Sequence, residues 1–162
     1  CMSGGKVAFY TGILPICQDE TGVAVVMGHE IAHAIARHGN ERVSQSLALQ
    51  GLSTGVDLAL LIKEKPAVAR QIVNTAVGLG GQVGMLAFSR KHESEADEMG
   101  LIFMAMAGYN PSEAPVFWDR MGKLGGERPP LMLSTHPHPE ARQADLRKQL
   151  PKAMVIYNQN KG

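Results

Sequence analysis

The sequence is poor in aromatic residues and has no long run of like charge. Phe, Trp and Tyr together make up 5% of its 162 residues, and the formal net charge is +1. Nucleic-acid-binding domains usually carry a cluster of Lys and Arg, so nothing here predicts a nucleic acid as a partner. Hydrophobic residues make up 44% and charged residues 19%, which is typical of a globular chain. The length predicts a single domain over residues 1–162.

Cysteine is nearly absent. Cys1 and Cys17 are the only two, and no CxxC pair exists. This argues against a zinc site built from thiolates. The two cysteines fit either one disulfide or two small buried thiols, and the sequence leaves both alternatives open.

The chain is predicted to be mainly helical. Residues 4–12 alternate in the manner of a strand, which predicts one short strand or hairpin at the N-terminus. The helices are expected from the N-cap Asp19 to about His38, from Ser89 to about Gly108, after Asn110, and from Pro139. The predicted fold class is therefore mainly α, with a small β element (α+β).

One uncharged stretch, residues 71–88, is nearly long enough to cross a membrane. Three polar residues, Gln71, Asn74 and Gln82, and four glycines interrupt it. We therefore expect a packed helical segment of a soluble domain there, with a position beside a membrane as the alternative.

The clearest chemical motif is HExxH, at His29, Glu30 and His33. Residues four apart share one face of a helix, so the two imidazoles are directed at one point. A tetrahedral metal with two nitrogen ligands needs this arrangement. Glu30 points about 100° away around the helix, so it suits a general base better than a third ligand.

A catalytic zinc needs a third protein ligand, and the HExxHxxGxxH pattern that would supply it is absent. The acidic stretch 93–97 offers Glu93, Glu95 and Asp97. Glu93 and Asp97 lie on one helical face, whereas Glu95 points roughly the opposite way. A solvated acidic first turn of a helix is the simpler alternative.

Four segments in this order, GGKVAFYTGIL, GHEIAHAIARH, SRKHESEAD and STHPHPEAR, resemble one family of zinc endopeptidases. This HExxH…ExxxD gluzincin family holds the CAAX prenyl endopeptidase, the bacterial heat-shock membrane protease, the mitochondrial stress protease and the beta-barrel assembly-enhancing protease. The resemblance covers nearly the whole chain and is closest to the soluble or lipoprotein bacterial members. Family members usually carry a further helical segment before the strand, which this chain is expected to lack.

The resemblance implies a zincin-like helical metallopeptidase domain with one zinc per chain. It assigns zinc to His29, His33 and Glu93, and the role of catalytic base to Glu30. Asp97 matches a second acidic position, which serves as a proton donor or orients a ligand. His136 lies in a proline-flanked loop over the cleft, where it either fills the fourth zinc position as a plug or donates to an oxyanion.

The same resemblance implies an extended polypeptide substrate that pairs with the edge strand at Val7, Ala8 and Phe9. Arg142 either forms a salt bridge near the site or assists the transition state. The expected function is hydrolysis of misfolded or unassembled proteins of the bacterial cell envelope, in the periplasm or on a lipoprotein anchor. A zinc-containing but catalytically quiet chaperone or binding module is the alternative. Membrane or outer-membrane association and the oligomeric state are left open.

Overall fold

The computed structural model describes residues 7–123, 136 and 139–161, and it is helical almost throughout. The helices are α1 (Leu14–Cys17), α2 (Glu20–Ile35), α3 (His38–Ile62), α4 (Ala67–Met106), α5 (Glu113–Lys123) and α6 (Pro139–Asn160). The prediction of a mainly α fold is confirmed. The chain forms two compact units: unit 1 comprises Cys1–Ala36 and Glu93–Gly162, and unit 2 comprises Arg37–His92.

The predicted N-terminal strand is wrong for the residues that the structure describes. Residues 7–10 have no regular secondary structure, and a 3-10 turn follows at Thr11–Ile13. A strand requires a neighbour to accept and donate its backbone hydrogen bonds, and the described ranges contain no second strand. Alternation of side chains alone cannot supply that partner.

Helix α2 begins where its sequence predicts. The Asp19 side chain accepts a hydrogen bond from the Gly22 N–H at 2.9 Å, as an N-cap does. The helix ends at Ile35, slightly before the predicted His38, and Arg37 then adopts a positive φ of 58°. A non-glycine residue in this left-handed region interrupts the helical path, so His38 begins a new helix.

In unit 1, the apolar core forms around α5 and α6, which pack against each other. Phe117, Trp118 and Met121 of α5 are buried, together with Leu146 of α6 and Cys17 of α1. Cys17 is a free thiol, and burial raises its pKa. Cys1, the partner in the disulfide alternative, lies outside the described residues.

Unit 2 is a helical hairpin of α3 and the part of α4 up to His92. The expected packed segment at residues 71–88 is wrong, because none of the most apolar 18-residue window of α4 is buried. By length and composition, α4 could cross a membrane, with a mean hydropathy of 1.3 in that window. Helix α4 also runs without interruption through Ser89, where a new helix was expected.

Candidate active site

Two glycines bring the two functional helices of unit 1 into close contact. A Cβ atom on Gly28 of α2 would lie 2.8 Å from the Gly100 carbonyl oxygen of α4. A Cβ atom on Gly100 would lie 3.0 Å from the His29 backbone nitrogen. Real Cβ atoms essentially never come as close as 2.8 Å to a backbone atom, and 3.0 Å is tighter than nearly all observed contacts, so a side chain at either position would push the two helices apart. The crossing places the HExxH motif opposite the acidic stretch that begins at Glu93.

Four side chains meet beside this crossing: His29, His33, Glu93 and His136. One donor atom of each lies within 4.8 Å of those of the other three. The Nε2 atoms of His29 and His33 are 3.0 Å apart. The Glu93 carboxylate lies 3.3 Å from His29 Nε2 and 3.4 Å from His33 Nε2. His136 Nδ1 completes the group, 3.2 Å from His29 Nε2 and 2.8 Å from Glu93 Oε2.

These separations fit a tetrahedral zinc ion. Ligand atoms at about 2.0–2.1 Å from a tetrahedral metal lie about 3.3 Å from one another. Within the described part of the chain, Glu93 Oε1 is buried, and its 3.4 Å contact with His33 Nε2 is longer than a normal hydrogen bond. A buried carboxylate oxygen in that condition is costly unless a cation or donor binds it. Three imidazoles and one carboxylate are also ligand types that zinc prefers.

The protonation states of His33 and Glu93 suit metal binding. Burial lowers the pKa of His33 to about 4, although the hydrogen bond to Glu93 acts in the opposite direction. His33 is therefore a neutral imidazole near pH 7, which is the form that binds a metal. Burial raises the pKa of Glu93, but hydrogen bonds from the three histidines and the charge of Arg142 hold it below its usual range.

Asp97 and Arg142 support His29 from the other side of its ring. Asp97 Oδ1 lies 3.0 Å from His29 Nδ1, and the Arg142 guanidinium binds both carboxylate oxygens of Asp97. Arg142 also lies 3.1 Å from Glu93 Oε2 and stacks on the Trp118 ring, with 3.5 Å from its Cζ to the ring centroid. Burial raises the pKa of Asp97, but the Arg142 charge and the His29 hydrogen bond outweigh this effect and hold the pKa below its usual value.

Glu30 lies beside the cluster and not within it. Its Oε1 atom is 3.4 Å from Nε2 of His136, whose other ring nitrogen faces Glu93. Burial lowers the pKa of His136, but its hydrogen bonds to these two carboxylates outweigh that effect and raise it. Burial raises the pKa of Glu30, and hydrogen bonding, including that of His136, holds it below its usual range. Glu30 is thus an ionised carboxylate at neutral pH.

The other predicted residues lie elsewhere or have different surroundings. Val7 and Ala8 are exposed, and Phe9 packs against the core. Arg142 is 5% exposed and forms a salt bridge with Asp97, which is the first of the two roles considered for it. Glu95 is exposed, as its opposite helical face predicts. Sequence reasoning missed two features of the site, the crossing at Gly28 and Gly100 and the stacking of Arg142 on Trp118. For the crossing, the only signal in the sequence was a glycine near each motif.

The comparisons with known proteins agree with this geometry. A family model described as peptidase family M48 matches residues 1–150. The mitochondrial metalloendopeptidase OMA1 of Arabidopsis thaliana is 37% identical over 98% of this chain and 31% of its own length. OMA1 of Saccharomyces cerevisiae is 37% identical over 98% of this chain and 45% of its own length. The beta-barrel assembly-enhancing protease of Escherichia coli K12 is 30% identical over 89% of this chain and 30% of its own length.

The chain therefore spans less than half the length of these curated relatives. No solved structure matches it. The matches confirm the resemblance seen in the four sequence segments, and these relatives are named as metalloendopeptidases or as a protease. By its family model and its relatives alike, the chain belongs to peptidase family M48.

Proposed function

We propose that this chain is the catalytic domain of a zinc-dependent endopeptidase in which Glu30 acts as the general base. One observation carries the proposal: a set of zinc-type donors, two of them buried and two half-buried, lies beside an ionised glutamate that is not one of them. A purely structural zinc site has no need of such a base. Bound zinc would supply Lewis-acid activation of water and of the scissile carbonyl.

Glu30 moves the proton in this mechanism. Its carboxylate accepts a proton from the attacking water and returns it to the nitrogen of the leaving amine. The position beside the cluster suits both transfers, since the side chain needs to shift little between them. His29, His33 and Glu93 would hold the metal through the atoms that converge in the cluster.

Asp97 is proposed to orient His29 and not to transfer protons. Its Oδ1 atom lies 3.0 Å from His29 Nδ1, so in the tautomer with the proton on Nδ1 the ring donates to Asp97 and directs its Nε2 lone pair into the cluster. Arg142 in turn holds the Asp97 carboxylate in place. Removing either residue is expected to weaken metal binding through His29.

His136 is proposed to hold the resting enzyme inactive. Its Nδ1 atom occupies the fourth corner of the donor set, and its Nε2 atom is close to the base. A substrate carbonyl and the attacking water need this same space. Withdrawal of His136 would therefore precede each turnover.

The proposed substrates are extended segments of misfolded or unassembled proteins in the bacterial cell envelope, with the enzyme periplasmic or lipoprotein-anchored. The beta-barrel assembly-enhancing proteases support this location, whereas the mitochondrial relatives do not. Residues 7–9 would pair with the substrate backbone. Val7 and Ala8 are exposed, and among the residues that the structure describes the segment has no partner strand, so an arriving chain could form the first pair.

The test is Glu30→Gln, compared with Glu20→Gln, which changes an exposed glutamate in the first turn of the same helix. Glu30→Gln should retain its zinc and reduce the hydrolysis of casein about a hundredfold or more, because only the base is removed. Glu20→Gln should match the wild-type chain. Metal content and casein cleavage are measured on the same preparations. Hydrolysis that survives in Glu30→Gln would contradict the mechanism, and zinc-loaded wild type without hydrolysis would favour the quiet binding module.

A further inference from the structure

Unit 2 displays its large apolar side chains outward. Of the twenty large hydrophobic residues that are exposed in the described part of the chain, thirteen lie in this hairpin, and none of its apolar residues is buried. On α3 they are Val43, Leu47, Leu52, Leu58, Leu61 and Ile62, and on α4 they are Val68, Ile72, Val73, Leu79, Val83, Leu86 and Phe88. An apolar surface of this kind is unfavourable in water and marks a contact surface.

A polar bridge links the two helices of the hairpin. Asn74 Nδ2 of α4 donates to Asp57 Oδ1 of α3 at 2.8 Å, and Arg70 Nε lies 3.5 Å from the same oxygen. Leu49 of α3 packs on the bare backbone of Gly81. A polar bridge and a small residue between two helices whose large apolar side chains point outward differ from the usual pattern of a water-soluble hairpin. This arrangement is typical of helices packed in lipid.

The charges of the hairpin lie at its ends. Residues 71–88 contain no charged residue, and residues 43–62 contain only Asp57, which is partnered. Eighteen helical residues extend about 27 Å, close to the roughly 30 Å hydrocarbon thickness of a bilayer. At the connection of the two helices are Lys63 and Lys65, against a single Glu64. Cationic groups at this end match anionic lipid headgroups.

We propose that the α3–α4 hairpin inserts into a lipid bilayer containing anionic lipids. A second copy of the chain fits the surface less well. Apolar stripes that pair helices in water are usually bordered by charged residues, which set the register and partner. Here the outer surface of α4 has no charge over its whole apolar length. The inference goes beyond the peptidase function, and its test does not use proteolysis.

The test is flotation of the full chain with vesicles of phosphatidylcholine and phosphatidylglycerol in a 7:3 ratio. The wild-type chain should float with the vesicles, also in 1 M NaCl, because apolar insertion resists salt. The double variant Leu79→Glu/Val83→Glu should lower the floated fraction at least tenfold. The matched control is Val116→Glu/Val155→Glu, which places two charges at exposed valines of unit 1 and should change flotation less than twofold.

A second measurement keeps the proposal testable if the hairpin variant misfolds. A nitroxide attached to Leu79→Cys in a Cys1→Ser background should be accessible to oxygen and shielded from a water-soluble nickel complex when vesicles are present. A nitroxide at Val155→Cys should show the opposite preference. A wild-type chain that stays in the aqueous fraction would overturn the proposal. A discrete dimer in lipid-free buffer would also overturn it, if that dimer does not float with vesicles and the variant Leu79→Glu/Val83→Glu is a monomer. The apolar surface would then be covered by a second copy of the chain.

Discussion

At the scale of single residues, the site depends on one buried arginine. Arg142 binds Asp97 through both carboxylate oxygens, contacts Glu93 and stacks on Trp118. Each of these contacts is formed with a residue distant in sequence from Arg142. The two negative charges compensate the buried guanidinium, so removing either would leave charge poorly paired in a dry environment.

Asp97→Asn is therefore expected to destabilise the metal-free chain by roughly 3–5 kcal/mol, the usual cost of breaking a buried ion pair. The pKa of Asp97 is lowered in the folded state, mainly by Arg142 against the effect of burial. The stability that it contributes is thus present above its unfolded pKa of about 4 and is lost as the pH falls through the folded pKa. Urea unfolding of both chains at pH 7 and at successively lower pH measures the difference.

Glu95→Gln is the matched control for this prediction, because Glu95 lies on the same helix but is exposed. It should change the unfolding free energy by less than about 0.5 kcal/mol. The stability gap between wild type and Asp97→Asn should shrink as the pH is lowered. A gap that stays constant with pH would contradict the role given to the ionised Asp97.

At the scale of elements, the crossing of α2 and α4 sets the spacing of the metal ligands. Gly28→Ala would place a methyl group 2.8 Å from the Gly100 carbonyl, so the helices must separate. We expect a loss of about 1–3 kcal/mol in unfolding free energy and weaker zinc binding. Urea unfolding and chelator competition measure the two effects.

Gly55→Ala provides the comparison, because a Cβ atom there meets nothing within 4 Å in helix α3. It should raise stability by up to about 1 kcal/mol through helix propensity and leave zinc affinity unchanged. If both substitutions behaved alike, the close approach of the two helices would have no functional importance.

The loop residue His136 gives a second prediction at this scale. As a plug, it competes with substrate for the fourth corner of the donor set, so His136→Ala should raise the rate of casein cleavage several-fold. As an oxyanion donor, its loss would instead lower the rate by about a hundredfold or more. Initial rates at equal zinc occupancy distinguish the two, and an unchanged rate would exclude both roles.

At the scale of the whole molecule, zinc should couple the site to global stability. The ligands come from α2, α4 and the loop at His136, so the unfolded chain cannot assemble them. At a zinc concentration about a thousandfold above the dissociation constant, we expect about 4 kcal/mol of stabilisation. Chelation by EDTA should remove it, as followed by urea unfolding.

Two variants sharpen this measurement. Glu93→Gln loses a ligand and should show little response to zinc or EDTA, whereas Glu95→Gln should respond like the wild-type chain. Equal responses of the two variants would contradict the assignment of Glu93 as a ligand.

The parts of the molecule that sequence predicted correctly are local. The Asp19 cap, the shared face of His29 and His33, and the opposite faces of Glu93 and Glu95 all follow from helical geometry within a few residues. The N-terminal strand was wrong because a strand depends on a distant partner. The salt bridge of Arg142 to Asp97 joins residues 45 positions apart, which no periodicity specifies.

The uncharged stretch at 71–88 also shows that local sequence does not specify contacts with distant residues. Its polar residues argued for a packed soluble segment, but Asn74 instead hydrogen-bonds Asp57 across the hairpin. The bond satisfies a polar group inside the pair of helices and leaves the apolar residues on the outside. Whether a polar residue faces inward or outward depends on the neighbouring helix, which the segment itself does not specify.

The position of Trp118 has a practical consequence. It is the only tryptophan in the chain, and its ring lies 3.5 Å from the Arg142 guanidinium carbon and 6.1 Å from the His29 ring. All intrinsic indole fluorescence of this protein therefore originates beside the metal ligands. Changes of charge at His29 on metal loading alter the field at that indole, so the emission of the unlabelled chain can report the occupancy of its own site.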